Sequence, residues 1–307
     1  MKYLIQAERL SKSFGQVRAI NNVRLGIEQG ELFGLIGPDG AGKTTLFRIL
    51  VTLLCPDEGE AWVNGYHSIR DSRKIRDLIG YMPGRFSLYQ DLSVQENLEF
   101  YATVFGTTIH ENYDMIKEVY RHIEPFRDRL AGRLSGGMKQ KLALSCALIH
   151  RPSILILDEP TTGVDAVSRK EFWEMLKHIQ KEGITILVST PYMDEAARCD
   201  RIALMQKGSI LGIDRPDKMP HSGRHPMYCL KSENDLYNLL LKVRKQVPCK
   251  TAYLFGNEIH VTLEKEGDRK NAGSIIQSWN DPTLSWEPMH PGIEDYFMEL
   301  MVESDDG

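Results

Sequence analysis

The chain has 307 residues, 38 basic and 42 acidic, for a net charge of −4. That length accommodates one large or two modest domains with room for a proper core. Residues 222–307 carry −5 and the rest about +1, so no basic face or tail points to nucleic acid as a partner. Cys55, Cys146, Cys199, Cys229 and Cys249 show no metal-ligand spacing and read as reduced packing residues of a cytosolic protein. The N-terminus meets charge too soon for a signal peptide. No run approaches the roughly 18–20 apolar residues of a membrane span, so the chain is expected to be soluble by itself.

In chain order, residues 3–10 and 17–27 alternate apolar and polar, as antiparallel strands joined by a turn at 11–15 would. Phe14 on that turn is either a core plug or a stacking surface for a purine, and position alone leaves the two even. Residues 31–36 read as a short buried strand and 46–54 as a helix. Between them, Gly37-Pro38-Asp39-Gly40-Ala41-Gly42-Lys43-Thr44-Thr45 fits the phosphate-loop pattern G-x-x-x-x-G-K-[ST] at every fixed position. Gly37, Gly40 and Gly42 let successive N–H groups turn toward an anion, and the helix start adds its positive dipole end. Lys43 supplies a cation for the terminal phosphates, and the Thr44 hydroxyl a ligand for Mg²⁺.

Further on, 56–59 reads as a turn, 60–64 as a strand and 70–79 as a helix, after which residues 80–84 break the pattern. Residues 87–105 are dense in apolar and aromatic side chains, most of them a helical core. Phe86 and Tyr89 are candidates for a groove that takes a partner helix. Leu134-Ser135-Gly136-Gly137-Met138 leads into a helix over 139–150. Its start exposes free N–H groups and a hydroxyl, an anion site without a lysine. A cap explains Ser135 but not the two glycines after it.

Residues 153–157 form a continuous apolar run ending in Asp158-Glu159, which suits a parallel strand buried on both faces. Carboxylates at the end of such a strand lie where ligands bind in α/β sheets. Asp158 is placed to hold Mg²⁺ through water, and Glu159 to polarise an attacking water as general base. A loop (161–165), a helix (168–181), a buried strand (184–190), a short helix (194–199) and a hairpin (202–213) follow. Residues 214–226, rich in proline and histidine, mark a linker. Beyond it come strand (227–231), helix (235–245), strands (251–255 and 258–263), helix (271–279), strand (283–288) and helix (293–302). That order, βαββαβ, is that of a ferredoxin-like, split-βαβ unit.

Phosphate loop, Leu134–Gln140 signature and Asp158-Glu159 strand end together closely resemble the ATP-binding subunit of an ABC transporter. Gly80-Tyr81-Met82-Pro83, Leu88-Tyr89, Glu96-Asn97-Leu98 and Tyr192-Met193-Asp194-Glu195-Ala196 look like its drug- or multidrug-exporter branch. The ending Gly292-Ile293-Glu294-Asp295-Tyr296-Phe297 is similar to the usual Leu-Glu-Asp-Val-Phe of that branch. The resemblance covers about residues 1–220. It implies an α/β fold: a RecA-like parallel sheet, an antiparallel β-subdomain and a helical subdomain over about 86–150. Residues 221–307 would form the accessory α+β domain. It also implies a dimer, with a like or unlike second ATP-binding subunit, sandwiching two ATPs head to tail. Phe14 would then stack on adenine, residues 37–45 bind the phosphates, and Thr44 and Asp158 hold Mg²⁺. Ser135, Gly136, Gly137 and Gln140 would serve the nucleotide across the dimer, and Asp165 would link the two sites. Residues 84–105 would receive a helix of a separate membrane permease, holding the chain at the inner face of the cell membrane.

Two positions depart from the family pattern. Gly84 stands where glutamine usually touches Mg²⁺ and the attacking water, and Pro191 where histidine usually grips the γ-phosphate. Losing one transition-state donor costs about 10²–10³ in rate. The expectation is therefore a transport ATPase, attenuated at its own site. The alternative is an ATP-dependent switch paired with a more active ATPase.

Overall fold

Alternating side chains build the first sheet of the computed structural model, which describes residues 2–222 and 225–305. β1 (Ile5–Phe14) pairs antiparallel with β2 (Val17–Ile27), burying Ile5, Ala7 and Leu10 against Val23, Leu25 and Ile27. Residues 11–14, read from the sequence as a turn, instead extend β1 through bulged register, and the chain reverses at Gly15. Bulges hide a strand from a period-two reading because they shift the face on which each side chain falls.

β3 (Leu32–Ile36) is buried throughout and runs into α1 (Lys43–Leu50). α1 buries Leu46, Phe47, Ile49 and Leu50 in the core shared by both sheets of this unit. Each such side chain contributes about 1.5–3 kcal/mol. β4 (Glu58–Val63) and β5 (Tyr66–His67) complete a four-stranded antiparallel sheet in the order β2-β1-β4-β5. After α2 (Ser72–Leu78), the stretch read as a break at residue 80 holds a strand, β6 (Ile79–Met82). Its glycine is a packing requirement, since a Cβ at Gly80 would lie 2.3 Å from the Ala147 carbonyl oxygen. Glycine in a short edge strand reads as punctuation when its neighbour is unseen.

Helices α3 (Val94–Val104) and α4 (Ile109–Tyr120) each start with a capping box, Ser93/Glu96 and Thr108/Glu111. α5 (Gly136–Leu148) packs on both and on β6. Then come β7 (Ile154–Asp158), α6 (Ala166–Lys181), β8 (Thr185–Thr190), β9 (Arg201–Gln206) and β10 (Ser209–Asp214). The main sheet has the order β10-β9-β3-β8-β7-β6, parallel except for the terminal β9–β10 hairpin. Register levels the carboxyl ends: Ile36 pairs with Thr190, and Asp158 with Ser189.

The chain divides into two units, Met1–Asp214 and Arg215–Gly307. In the second, β11 (Met227–Lys231), α7 (Leu236–Gln246), β12 (Thr251–Phe255), β13 (Glu258–Thr262), α8 (Arg269–Gln277), β14 (Ser285–Pro288) and α9 (Ile293–Asp305) follow one another. The sheet order is β12-β13-β11-β14, all antiparallel. β13 thus lies between the two strands that α7 connects, which is what splits the βαβ unit. Its core joins Leu230, Ile259 and Val261 to Leu240, Val243, Ala272 and Ile276.

Candidate active site

The phosphate loop crosses the carboxyl ends of β3, β8 and β7, and its shape is dictated by what its glycines touch. A Cβ at Gly37 would lie 2.2 Å from the Met205 carbonyl oxygen, and one at Gly42 would lie 2.4 Å from that of Ala19. Gly42 also holds φ +108° where it caps α1, a conformation closed to L side chains. Lys43, 3% exposed, folds back over the loop. Its Nζ donates to the carbonyls of Gly37 (2.7 Å) and Pro38 (2.9 Å) and pairs with Glu159 Oε1 at 3.0 Å.

Asp158 and Glu159 hang from the end of β7 by way of β8. The Ser189 hydroxyl donates to Asp158 Oδ1 at 2.7 Å and accepts from the Glu159 N–H at 3.0 Å. The Ser189 carbonyl accepts from the same N–H at 3.1 Å. Glu159 has φ +49°, a left-handed conformation that costs a non-glycine residue about 1–3 kcal/mol and persists only where its surroundings impose it. Tyr81, half-buried next to Asp158, has its phenol pushed up to about 12, first by burial and then by that carboxylate.

The position of Gly84 gives its departure a geometric meaning. A Cβ there would lie 3.1 Å from the Asp158 carbonyl oxygen and 3.7 Å from Oδ2, so any side chain at 84 starts beside this carboxylate. Pro191 follows directly on β8. Its neighbour Thr190 donates to Glu195 Oε2 at 2.5 Å, which also accepts from Thr161 at 3.0 Å. Glu195, 1% exposed, pairs with Arg169 at 3.1 Å. The loop that carries Pro191 is therefore tied to the chain just after Glu159.

Ser135, Gly136 and Gly137 open α5 on the surface, with the Ser135 hydroxyl accepting from Met138 N–H at 3.4 Å. A Cβ at Gly137 would meet Ser168 Oγ at 2.8 Å and its Cβ at 3.0 Å, whereas at Gly136 the nearest atom is 3.5 Å away. Packing thus explains the second glycine and leaves the first free. Asp165 caps α6 by accepting from Val167 and Ser168 N–H, and the Ser168 bond leads in holding its carboxyl below the usual range. Gln140 lies half-buried on α5. Phe14 is 51% exposed at the end of β1, which removes the core-plug alternative.

The sequence pattern of the ABC transporter family matches residues 20–162, from β2 through the Asp158-Glu159 strand end. The linearmycin resistance ATP-binding protein LnrL of Bacillus subtilis (strain 168) is 34% identical over 97% of this chain and 98% of its own length. The chain belongs to the ABC transporter family of ATP-binding proteins. A probable multidrug ABC transporter ATP-binding protein, YbhF of Escherichia coli (strain K12), is 38% identical over 90% of this chain. The chain spans 48% of the length of that relative. Among solved structures, the dimeric ATP-binding cassette MJ0796 in a post-hydrolysis state with ADP and Pi superposes with a TM-score of 0.62. It is 26% identical and covers 69% of this chain and 98% of its own.

Sequence reasoning about this ABC protein assigned no role to Ser189, Glu195 or Arg169. The signal for Ser189 was present as one of three hydroxyls, with Thr185 and Thr190, in a fully buried strand, where each polar group needs a partner. Glu195 and Arg169 lie 26 positions apart, and only the fold joins them.

Proposed function

We propose that this chain is the ATP-binding subunit of an exporter, converting ATP binding and hydrolysis into movement of a separate membrane permease. One observation carries the reading: Lys43, Asp158 and Glu159 converge at the level carboxyl ends of β3, β8 and β7. Triphosphate would enter the loop by taking Lys43 away from the Gly37 and Pro38 carbonyls and from Glu159. That releases Glu159 to accept a proton from water attacking the γ-phosphate. The donors present, the Thr44 hydroxyl and the Asp158 carboxylate, are the oxygen ligands that Mg²⁺ prefers. When bound, Mg²⁺ offsets charge on the phosphate oxygens.

A second subunit would close the site by presenting Ser135–Gly137 of its own α5, so that γ-phosphate bridges two helix starts and its loss frees them. The exposure of Ser135 and Gly136 supports this arrangement. An apolar hollow of about 250 Å³, lined by Tyr81, Pro83, Leu88, Tyr101, Phe105 and Cys146, suits an apolar permease helix. Among the described residues no helix is long and apolar enough to cross a membrane, so cargo would pass through that permease. With it, the chain would work on the cytoplasmic face of the membrane. The multidrug and linearmycin-resistance names of the relatives support an export role.

Purified protein should bind ATP and hydrolyse it, and Lys43→Ala should abolish the binding. Unchanged affinity in that variant sinks the reading. Gly84 and Pro191 favour a second reading, in which this site mainly holds ATP while a more active partner turns over. Gly84→Gln with Pro191→His should then raise turnover by about 10²-fold. No increase would exclude a slow site arising from these two positions.

A further inference from the structure

We propose that Ser189 is a positioning residue for hydrolysis, holding the candidate Mg²⁺ ligand and the candidate base in register from the neighbouring strand. This rests on the reading of Asp158 and Glu159 given above. A hydroxyl has one proton to donate and lone pairs to accept with, and Ser189 spends both on this pair. It gives its proton to Asp158 Oδ1 and accepts from the Glu159 N–H. The donation occupies one carboxylate oxygen and leaves Oδ2 on the Gly84 side, fixing the rotamer in which Asp158 meets a cation. The acceptance, with that of the Ser189 carbonyl, holds Glu159 in its left-handed conformation and so aims the side chain at the Lys43 ammonium.

Ser189 itself cannot wander. It is fully buried, and β8 binds β3 on one side and β7 on the other. With glycine at 84, no side chain from that position reaches Asp158, which leaves its orientation to β8. Partners that orient a metal ligand in this way are typically worth 10–100-fold in metal affinity or activity.

The test compares Ser189→Ala with Ser189→Thr in the full chain, measuring ATP affinity in EDTA, ATP affinity in Mg²⁺, and turnover against Mg²⁺ concentration. Ser189→Ala should leave the EDTA affinity unchanged while the Mg²⁺ needed for half-maximal turnover rises and kcat falls, each about tenfold. Ser189→Thr, which keeps the hydroxyl, should restore both. Should threonine overpack the strand and lower the unfolding midpoint, Ser189→Cys, an unbranched and weaker donor, should fall between parent and alanine. Parental Mg²⁺ dependence and kcat in Ser189→Ala overturn the proposal. Asp158→Asn separates the levels. If it too leaves the Mg²⁺ dependence unchanged, the reading of Asp158 fails and takes the proposal with it. If it shifts the dependence while Ser189→Ala does not, the proposal alone is wrong.

Discussion

Each unit of the chain buries a carboxylate among polar partners, but the two clusters are finished to different degrees. In the second unit, Asp295 accepts from His260 Nδ1 (2.6 Å) and Tyr253 hydroxyl (2.5 Å) on one oxygen and from Gly292 N–H (2.6 Å) on the other. His260, 2% exposed, gives its second nitrogen to Glu258 at 3.0 Å and stacks on Phe255. The Tyr253 hydroxyl, both His260 nitrogens and the Gly292 N–H each meet a carboxylate of the same unit, and the result fastens α9 to β12 and β13. At the phosphate loop, Lys43 is satisfied by carbonyls of its own loop and by Glu159, partners that a triphosphate would replace at little loss. A buried charged cluster is therefore not a site by itself. What separates the two is whether the partners are replaceable by a ligand and whether the backbone around them is held open by glycine.

The strongest way to break this comparison is to remove a member of the closed cluster. Asp295→Ala should cost about 3–5 kcal/mol of unfolding free energy, because His260 and Tyr253 lose a buried partner. ATP affinity should stay at the parental value. A loss of nucleotide binding alongside a modest stability change would mean that the second cluster serves the site after all. The converse substitution, Glu159→Gln, is nearly isosteric and should cut turnover by about 10²–10³-fold with little change in unfolding. A full-speed Glu159→Gln protein would remove Glu159 from the chemistry.

The two glycines at the start of α5 sharpen the comparison within one motif. Gly137→Ala forces a Cβ into Ser168 and should cost about 1–3 kcal/mol of stability. Gly136→Ala meets only ordinary contact at 3.5 Å and should leave the isolated chain unaltered. If Gly136→Ala instead lowers ATP-driven dimerisation, its surface is the one the second subunit needs.

Legibility from the sequence followed the same division. The strand–loop–helix setting of residues 37–45 and the place of Asp158-Glu159 at a strand end were readable because both follow from residue type at fixed local spacing. The order of elements in the second unit was readable from periodicity and from the two-residue gap between the strands at 251–255 and 258–263. Hidden from it were contacts that only folding creates: Ser189 under Asp158, Glu195 between Thr161 and Arg169, and His260 against Asp295. Phe14 could not be settled by pattern either, since exposure is a tertiary property. β6 was missed because Gly80 serves α5, and nothing local to residues 79–82 announces a helix on the other side.

The smallest effect is a pH dependence, and its sign follows from the closed cluster. Burial alone would lower the affinity of His260 for its proton, but the bonds to Asp295 and Glu258 outweigh it and raise it above the ordinary histidine value. Folding thus favours the imidazolium. Its contribution is fully present below the unfolded value of about 6.5 and is lost as pH rises through the raised folded value. Asp295 runs the other way. Burial pushes it up, yet the His260, Tyr253 and Gly292 bonds hold it below the usual range, so its share is lost only as pH falls through that lowered value. Glu258 faces both His260 and Lys231 (3.4 Å), and these cations keep it ionised across the same window. Unfolding midpoints of the full chain from pH 5.5 to 9 should therefore decline toward the alkaline end more steeply for the parent than for His260→Gln. The difference between the two curves isolates this one imidazole from the other histidines. A parental advantage over His260→Gln that shrinks toward acid instead would mean that His260 is neutral in the folded protein and that Asp295 binds it as an ordinary hydrogen-bond acceptor.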